Sequence, residues 1–314
     1  GWKNNLLFAS PSIRRPTLGS GLDNIKKIMD MDEMKSGSKT LAKDGCYDIE
    51  FENVTFNYTE GGKDALASVS LHLEPGSLNA FVGPSGAGKT TAVQLLGRYW
   101  DTTSGTIRIG GVPVTDLKTE NLMDLTAFVF QDVFLLEDTL LENIRMGTNA
   151  TEEQVREAAK AAQIDDFIMG LSKGYATRIG DEGVKLSGGQ QQRISIARAI
   201  LKDAPIVVFD EATSYSDIEN EHKIQLALQN LLKGKTTIMI AHRLHTIRDA
   251  DKIVVFQNGT VAEQGTHREL VAKKGVYGQM WDVYTRETAG NPQEDTTMPF
   301  GKQKKGGGLN AAYN

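Results

Sequence analysis

A short glycine-rich string constrains the fold of this chain more than any other feature. Residues 83–90 read GPSGAGKT and fill every defining position of the pattern G-x-x-x-x-G-K-[ST]. The apolar run Leu78–Val82 leads directly into the string, and a helix is predicted from Lys89 to about Gly97. A strand, a glycine loop and a helix in this order form a cradle whose backbone N–H groups point at phosphate oxygens. The string therefore predicts a nucleotide-phosphate site in an α/β domain.

Length and composition set the broad class of the chain. Its 314 residues leave room for one large α/β domain or two small ones. The net charge of −5 gives no reason to predict a nucleic-acid partner, which a basic stripe would indicate. The single cysteine, Cys46, excludes an internal disulfide and fits a reducing compartment. No run approaches the roughly 20 apolar residues that span a bilayer, and we expect the chain to be a fragment of a longer protein.

A second string and two strand ends add further polar candidates. Leu186–Gln190 reads LSGGQ, and the apolar run Ile206–Phe209 ends at Asp210 and Glu211. His242 follows the next apolar run, Thr237–Ile240, after one intervening residue. Because open parallel sheets bind ligands beyond the carboxyl ends of their strands, we expect these polar side chains near the glycine loop.

The glycine loop, LSGGQ and the strand ending in Asp-Glu resemble, in this order, the motifs of the ATP-binding cassette (ABC) family. The resemblance covers roughly residues 47–285. It implies an α/β fold: a P-loop NTPase core with a parallel sheet, an antiparallel β-subdomain and an inserted α-helical subdomain. The predicted segments are a linker from a membrane domain (1–46), the nucleotide-binding domain (47–287, with the helical subdomain at about 130–200) and a disordered tail (288–314). A short helix that caps the domain is the alternative for the amphipathic stretch Leu22–Met29.

Three local predictions concern the elements around these motifs. The alternation of Ile49–Phe56 predicts a strand that is broken at a turn at Glu52–Asn53. The apolar spacing of Thr151–Leu171 predicts helix. Ile253–Phe256 and Gly259–Glu263 are typical of a late hairpin.

The glycine loop and the strand end at Asp210 and Glu211 are predicted to hold the phosphates and a metal ion. Lys89 supplies a positive charge to the β- and γ-phosphates, and the Thr90 hydroxyl is predicted to ligate Mg²⁺. Asp210 is predicted to hold Mg²⁺ directly or through water. The resemblance implies that Glu211 polarises the attacking water.

The remaining roles come from the resemblance. Gln131 matches a glutamine that reaches the metal and the attacking water, His242 matches a residue that contacts the γ-phosphate, and Tyr58 matches an aromatic residue that stacks on adenine. Ser187 matches a residue that faces the γ-phosphate held by another subunit, so two ATP molecules are expected to lie between two domains. The residues predicted to contact ATP are Tyr58, Gly83, Pro84, Ser85, Gly86, Ala87, Gly88, Lys89, Thr90, Thr91, Ser187, Gly188, Gly189 and Gln190. The predicted catalytic residues are Glu211, His242 and Gln131, and the predicted metal ligands are Thr90, Gln131 and Asp210.

Three features resemble the exporter-type branch of the family: residues 131–144, which end in an ENI element, residues 179–183, and the linker-like N-terminus. The prediction is an ATPase domain, with ATP and Mg²⁺, that dimerises and powers an exporter-type transporter at the cytoplasmic face of the membrane. Its predicted partners are a second nucleotide-binding domain, identical or different, and a transmembrane domain. A stand-alone ATPase subunit of an importer and a soluble ABC protein are the alternatives. A regulatory nucleotide sensor is disfavoured by the catalytic residues. Residues 214–217 read SYSD where the family has Ser-Ala-Leu-Asp. With the acidic stretch Glu219–Glu221, this departure resembles siderophore-handling transporters with exporter architecture, which leaves the direction of transport open.

Overall fold

The computed structural model describes residues 35–59, 61–130, 132–180, 183–211, 218–241 and 244–289. For residues 211, 218, 219 and 287–289 it describes the backbone alone. The predicted linker stretch Leu22–Met29 and the predicted tail beyond Ala289 lie outside the described residues.

The strands of the described part are β1 Ile49–Phe56, β2 Leu66–Leu73, β3 Leu78–Val82, β4 Ser104–Ile109, β5 Val112–Pro113, β6 Thr126–Val129, β7 Ile206–Glu211, β8 Thr236–Ala241, β9 Lys252–Gln257 and β10 Thr260–Gly265. The α-helices are α1 Lys89–Leu96, α2 Thr119–Leu125, α3 Leu140–Arg145, α4 Glu152–Ala161, α5 Asp165–Met169, α6 Gly188–Lys202, α7 Ile218–Leu232, α8 His267–Lys273 and α9 Val276–Ala289. Two 3₁₀ turns lie at Gly174–Ala176 and Leu244–Ile247.

A six-stranded sheet in the order β10-β9-β3-β8-β7-β6 forms the centre of the domain. Its strands pair in parallel, except that β9 and β10 are antiparallel. The central strands are apolar without alternation because both of their faces are buried. Phe81 and Ile240 pack with the antiparallel sheet and α1, whereas Val207 and Phe209 pack with the helices of the other face. The sheet is therefore the middle layer between two cores.

The second sheet is antiparallel, in the order β2-β1-β4-β5. The strand predicted through Ile49–Phe56 is confirmed, but the turn predicted at Glu52–Asn53 is wrong. The pairing with β2 shifts by one residue between Phe51 and Val54, which makes this position a β-bulge. Asn53 takes a left-handed conformation there, with φ of 48°, and asparagine tolerates this conformation better than most residues.

The helices α3 to α6 lie between β6 and β7 along the chain, which confirms the predicted helical insertion. Ile144, Val155 and Ile194, from three of these helices, belong to one buried cluster. The helical pattern predicted over Thr151–Leu171 is confirmed, and it forms two helices, since α4 ends at Ala161 and α5 begins at Asp165. Gln163 lies between them with φ of 58°, a conformation that ends a right-handed helix. The two helices thus turn around a residue that apolar spacing does not reveal.

The chain before β1 is already bonded to the domain. The N–H groups of Gly37 and Lys39 donate to the carbonyl oxygens of Leu117 (3.1 Å) and Asp116 (2.9 Å). The carboxamide of Asn121 accepts from the Leu41 N–H (2.8 Å) and donates to the Leu41 carbonyl (2.9 Å). These contacts begin before Tyr47, the predicted first residue of the nucleotide-binding domain.

An aromatic cluster attaches the last helix to the rest of the domain. His267 Nδ1 is 2.9 Å from the hydroxyl of the fully buried Tyr277, and its ring packs edge-on against Trp281 at 4.5 Å. Further along α9, the Tyr284 hydroxyl is 2.9 Å from His245 Nδ1. Burial of the ring lowers the pKa of His267 below its usual 6.5, and the positive charge of Arg248 lowers it further.

The lowered pKa of His267 predicts a loss of stability in acid. A histidine that is harder to protonate when folded stabilises the fold fully above its unfolded pKa of about 6.5, and this contribution is lost as pH falls through the lower folded value. We expect the melting temperature of the chain to fall more steeply below pH 6.5 than that of His267→Gln. Thermal unfolding over a pH series measures both slopes. The same substitution at the exposed His222 should keep the wild-type slope, and identical slopes for all three proteins would contradict the prediction.

Candidate nucleotide-binding site

The predicted glycine loop connects β3 to α1 at the centre of the parallel sheet. Its glycines have backbone conformations that other residues rarely adopt, with φ of 138° at Gly83, 75° at Gly86 and 106° at Gly88. A Cβ on Gly83 would lie 2.1 Å from the carbonyl oxygen of Phe256, whereas one on Gly86 would meet no atom within 4 Å. Gly83 is therefore needed for a close backbone approach, and Gly86 for its conformation alone.

The parallel register brings two strand ends to the edge where the loop begins. Phe81 of β3 and Asp210 of β7 both pair with Ile240 of β8, which lies between them. The carboxyl ends of the three strands therefore stop at the same edge, and Glu211 is paired with Ala241 one residue further on. This is the edge at which parallel sheets bind ligands.

The positive charge of Lys89 interacts with the carboxylate of Asp210 at this edge of the sheet. Lys89 is 6% exposed, and its Nζ donates to the carbonyl oxygens of Gly83 (2.7 Å) and Pro84 (3.0 Å). Burial lowers the pKa of Lys89, and the carboxylate of Asp210 acts against this shift. The positive charge predicted for the phosphates is thus held within the loop, beside the acid predicted to hold the metal.

The rest of the loop divides into an exposed tip and a buried base. Pro84, Ser85 and Gly86 are exposed, and so is Thr90, the predicted metal ligand. Among the described residues, no group of three His, Cys, Asp or Glu side chains could hold a metal ion.

Tyr58 lies two residues beyond the end of β1, beside the first turns of α1. Half of its surface, 50%, is exposed. Its hydroxyl is 3.0 Å from Thr91 Oγ1 and 3.2 Å from Gln94 Oε1. The structure therefore brings the predicted adenine-stacking ring next to the helix that carries Lys89 and Thr90.

The LSGGQ string leads into α6, with Ser187 as the residue that caps the helix start. Ser187 Oγ accepts from the Gln190 N–H (3.4 Å), and Gln190 Oε1 accepts from the Ser187 N–H (2.9 Å). This reciprocal pair is a capping box, which fixes the helix start and uses the carboxamide oxygen of Gln190 locally. Ser187 and Gly188 are exposed, whereas Gly189 is buried against Asn220 of α7.

Several predicted residues cannot be located from the structure. Gln131, His242 and the string Ser214–Asp217 lie outside the described residues, as do Asp181 and Glu182. The backbone of Glu211 ends β7, while its side chain is among those not described. The roles assigned to these residues stay predictions.

A hairpin turn supports the glycine loop from behind, through a contact that the sequence patterns do not predict. The predicted hairpin of β9 and β10 is confirmed, and Asn258 and Gly259 form its two-residue turn with φ of 50° and 79°. The Gly259 N–H donates to the carbonyl oxygen of Ala87 in the glycine loop (3.1 Å). Asn-Gly between two apolar runs signals the turn, but this contact depends on the sheet order.

Arg198, which no sequence pattern singles out, joins α6 to the segment before α3. Its Nε donates to the Asn143 carbonyl (2.6 Å), and its Nη1 donates to the Phe134 carbonyl (2.6 Å). Burial lowers the pKa of Arg198 to about 10. Asn143, from the predicted ENI element, is fully buried and accepts from the Leu136 N–H (2.8 Å). The helix that begins with LSGGQ is therefore bonded to the chain that follows Gln131.

The fold and the site define a P-loop nucleotide-binding domain, and comparison with known proteins gives its family. Residues 66–214 match the family described as ABC transporter. The chain belongs to this family, which confirms the predicted ABC ATP-binding domain, its ATPase class and its fold.

Known relatives and one solved structure agree with this assignment. The chain is 49% identical over 234 residues to the ATP-dependent lipid A-core flippase of Ralstonia nicotianae, covering 73% of this chain and 40% of the relative. For the protein of the same name from Cupriavidus metallidurans the identity is also 49%, covering 73% and 39%. A bacterial Atm1-family ABC exporter with ATP bound superposes with a TM-score of 0.75 at 38% identity, covering 84% of this chain and 47% of that one.

The chain thus spans about 40% of the length of the curated relatives it matches. Within the described ranges, every helix is too short or too polar to cross a membrane. The chain has the ATP-binding domain of an ABC transporter, and the proteins to which it is similar include an ABC exporter.

The surroundings of the loop glycines predict two substitutions of unequal cost. Gly86→Ala should destabilise the fold by about 1–2 kcal/mol, the usual cost of a left-handed alanine. Gly83→Ala should cost more, because its Cβ would also collide with the Phe256 carbonyl. Denaturant unfolding of both variants measures the difference in the free energy of unfolding. Equal values would show that the contact between the loop and β9 is absent in solution.

Proposed function

We propose that this chain binds ATP at the glycine loop and hydrolyses it. The observation that carries the proposal is the convergence of Lys89 and Asp210 at one edge of the parallel sheet, where a phosphate-binding charge and a metal-binding acid are both required. The match to the ABC transporter family supports ATP as the nucleotide.

The phosphates bind to the loop through three kinds of group. The loop backbone supplies N–H donors, the N-terminal end of α1 supplies a positive dipole, and Lys89 supplies a full charge. A buried lysine is less hydrated than an exposed one, so it has less water to lose when it binds a phosphate oxygen. These groups recognise the triphosphate, and Tyr58 recognises the base by stacking.

Thr90 and Asp210 would hold Mg²⁺, together with Gln131. When bound, the ion neutralises charge on the phosphate oxygens. The exposed hydroxyl of Thr90 and the carboxylate of Asp210 are oxygen ligands, the type that Mg²⁺ prefers. In the proposed site, Asp210 therefore serves both the ion and Lys89.

The attack of water on the γ-phosphate is assigned to three residues that lie at or just after the ends of strands: Glu211, Gln131 and His242. Glu211 accepts a hydrogen bond from the water and, as a general base, receives its proton. Gln131 orients the same water, and His242 contacts the γ-phosphate. Glu211 is the last residue of β7, and His242 follows the end of β8. These two strands pair in parallel. This adjacency of the two strands supports their assignment to one reaction centre.

We also propose that two copies of the domain complete each site. The first N–H groups of a helix have no acceptor within the helix, so those of Gly188 and Gly189 are available to an anion. Ser187 and Gly188 are exposed, which leaves the start of α6 open to a partner. The γ-phosphate held by one copy would bind to the start of α6 of the other, identical or related copy. ATP then joins the two domains, and its hydrolysis releases them.

The work performed by the ATPase is proposed from the relatives. Two of them are named as ATP-dependent lipid A-core flippases, and one of the solved structures that match is an ABC exporter. We infer that this domain powers an exporter-type transporter through a transmembrane domain, at the cytoplasmic face of the membrane. The length of the relatives, of which this chain covers about 40%, leaves room for such a domain.

The assignment of Glu211 predicts that binding and hydrolysis can be separated. Glu211→Gln should bind ATP as the wild type does, because the loop and Lys89 are unchanged, while hydrolysis falls about 10²- to 10⁴-fold with the loss of the general base. Nucleotide binding and phosphate release, measured on the same sample with Mg²⁺, test this. Glu153→Gln, at the exposed start of α4, is the control. Wild-type turnover by Glu211→Gln would exclude the assignment.

The shared site predicts recovery of activity from two inactive variants. Lys89→Ala lacks the phosphate charge, and Ser187→Arg blocks the start of α6. In a mixed dimer, one site combines the intact loop of one chain with the intact α6 of the other, while the second site carries both defects. We expect the mixture to regain phosphate release, which each variant lacks alone.

Two controls make the mixing experiment decisive. Light scattering with ATP establishes that mixed dimers form, and each variant is assayed alone at the total concentration of the mixture. If mixed dimers form without any recovery, each site is complete within one chain, and the proposal of shared sites fails while that of ATP binding stands.

A further inference from the structure

The phenol group of Tyr58 is bonded at its tip to two side chains of α1. Its oxygen is 3.0 Å from Thr91 Oγ1 and 3.2 Å from Gln94 Oε1. Both partners belong to the helix whose first two residues, Lys89 and Thr90, are assigned to the phosphates and the metal. Tyr58 itself comes from the antiparallel sheet side, just beyond β1. Its hydroxyl therefore joins the two parts of the domain that would contact the base and the phosphates.

The direction of these hydrogen bonds follows from the groups involved. A carboxamide oxygen can only accept, so the Tyr58 hydroxyl donates its single proton to Gln94. The Thr91 hydroxyl must then donate to the Tyr58 oxygen. The result is a chain from Thr91 through Tyr58 to Gln94, in which each bond strengthens the next.

Two aromatic contacts hold the sides of the same ring. Phe56 lies 4.9 Å from Tyr58 between ring centroids, at an interplanar angle of 82°, and Trp100 lies 5.9 Å away at 88°. Held at its tip and its sides, the ring still has 50% of its surface exposed. The exposed part is therefore presented in one orientation before a ligand binds.

We propose that this hydrogen-bond chain sets the orientation of the base-stacking ring relative to the glycine loop, and that Gln94 is a positioning residue for ATP recognition. The inference rests on the proposed function, and it adds a role for the Tyr58 hydroxyl that stacking does not require. Stacking needs the ring alone, whereas the tilt of the ring above α1 needs the acceptor of Gln94. A ring fixed in advance loses less conformational freedom on binding, so its affinity for the base is higher.

The test separates the base from the phosphates with two probes, ATP and inorganic tripolyphosphate, each with Mg²⁺ and the full chain. Tyr58→Phe retains the ring and removes the hydroxyl, and Gln94→Leu removes the acceptor at nearly the same volume. Each should weaken ATP binding about three- to tenfold, the range of one modest hydrogen bond or one ordered side chain, and leave tripolyphosphate binding unchanged. Isothermal titration gives both dissociation constants.

Two further variants separate positioning from a general structural effect. Gln94→Glu keeps an acceptor oxygen, so its ratio of ATP affinity to tripolyphosphate affinity should stay at the wild-type value, even if its charge weakens both. The double variant Tyr58→Phe/Gln94→Leu should bind ATP no more weakly than Tyr58→Phe, because both substitutions break the same chain.

Three results would overturn the inference. They are wild-type ATP affinity in Tyr58→Phe, an equal loss for ATP and tripolyphosphate in Gln94→Leu, and additive losses in the double variant. Tyr58→Ala distinguishes these from a failure of the proposed function: if it weakens ATP binding while Tyr58→Phe does not, stacking holds and only the hydrogen-bond chain is refuted. If tripolyphosphate fails to compete with ATP on the wild type, the phosphate site itself is refuted.

Discussion

The parallel pairing of β3, β8 and β7 is the constraint on which the candidate site depends. Lys89 and Asp210 are distant in sequence, and they come together because Phe81 and Asp210 pair with the same residue, Ile240. Buried apolar side chains on both faces of the sheet hold this register, since a shift of one residue would exchange the two faces. The electrostatics of the site are thus a consequence of how the core is packed.

The glycine loop is held on the side that faces the protein and exposed on the side that faces solvent. Behind it, the Gly259 N–H donates to Ala87, and Gly83 lies against the Phe256 carbonyl, so the β9–β10 hairpin supports the loop. In front, Ser85 and Thr90 are exposed. A loop that is fixed from behind keeps its donors in place before a phosphate arrives, which reduces the ordering that binding requires.

Sequence patterns predicted the elements whose cause is local. The apolar run before Gly83 and the helix after Lys89 each depend on residues close together in the chain, and both elements form as expected. The bulge at Asn53 and the break at Gln163 were missed, because a left-handed residue other than glycine changes the path of the chain without changing its apolar spacing. Arg198 was missed for a different reason: its acceptors become neighbours only after the helical insertion has packed. The catalytic roles and the positions of Gln131 and His242 stay predictions.

The bonding of the segment before β1 has a mechanical consequence. The bonds from Gly37 and Lys39 to Leu117 and Asp116, and those between Leu41 and Asn121, lie in succession along the segment, which pairs in parallel with Leu117 at Lys39. A pull along this segment loads the bonds together, in shear, instead of opening them one at a time. Tension on the chain upstream of Gly37 is therefore transmitted to α2, which begins at Thr119, and through Leu122 and Leu125 to the core beneath the antiparallel sheet.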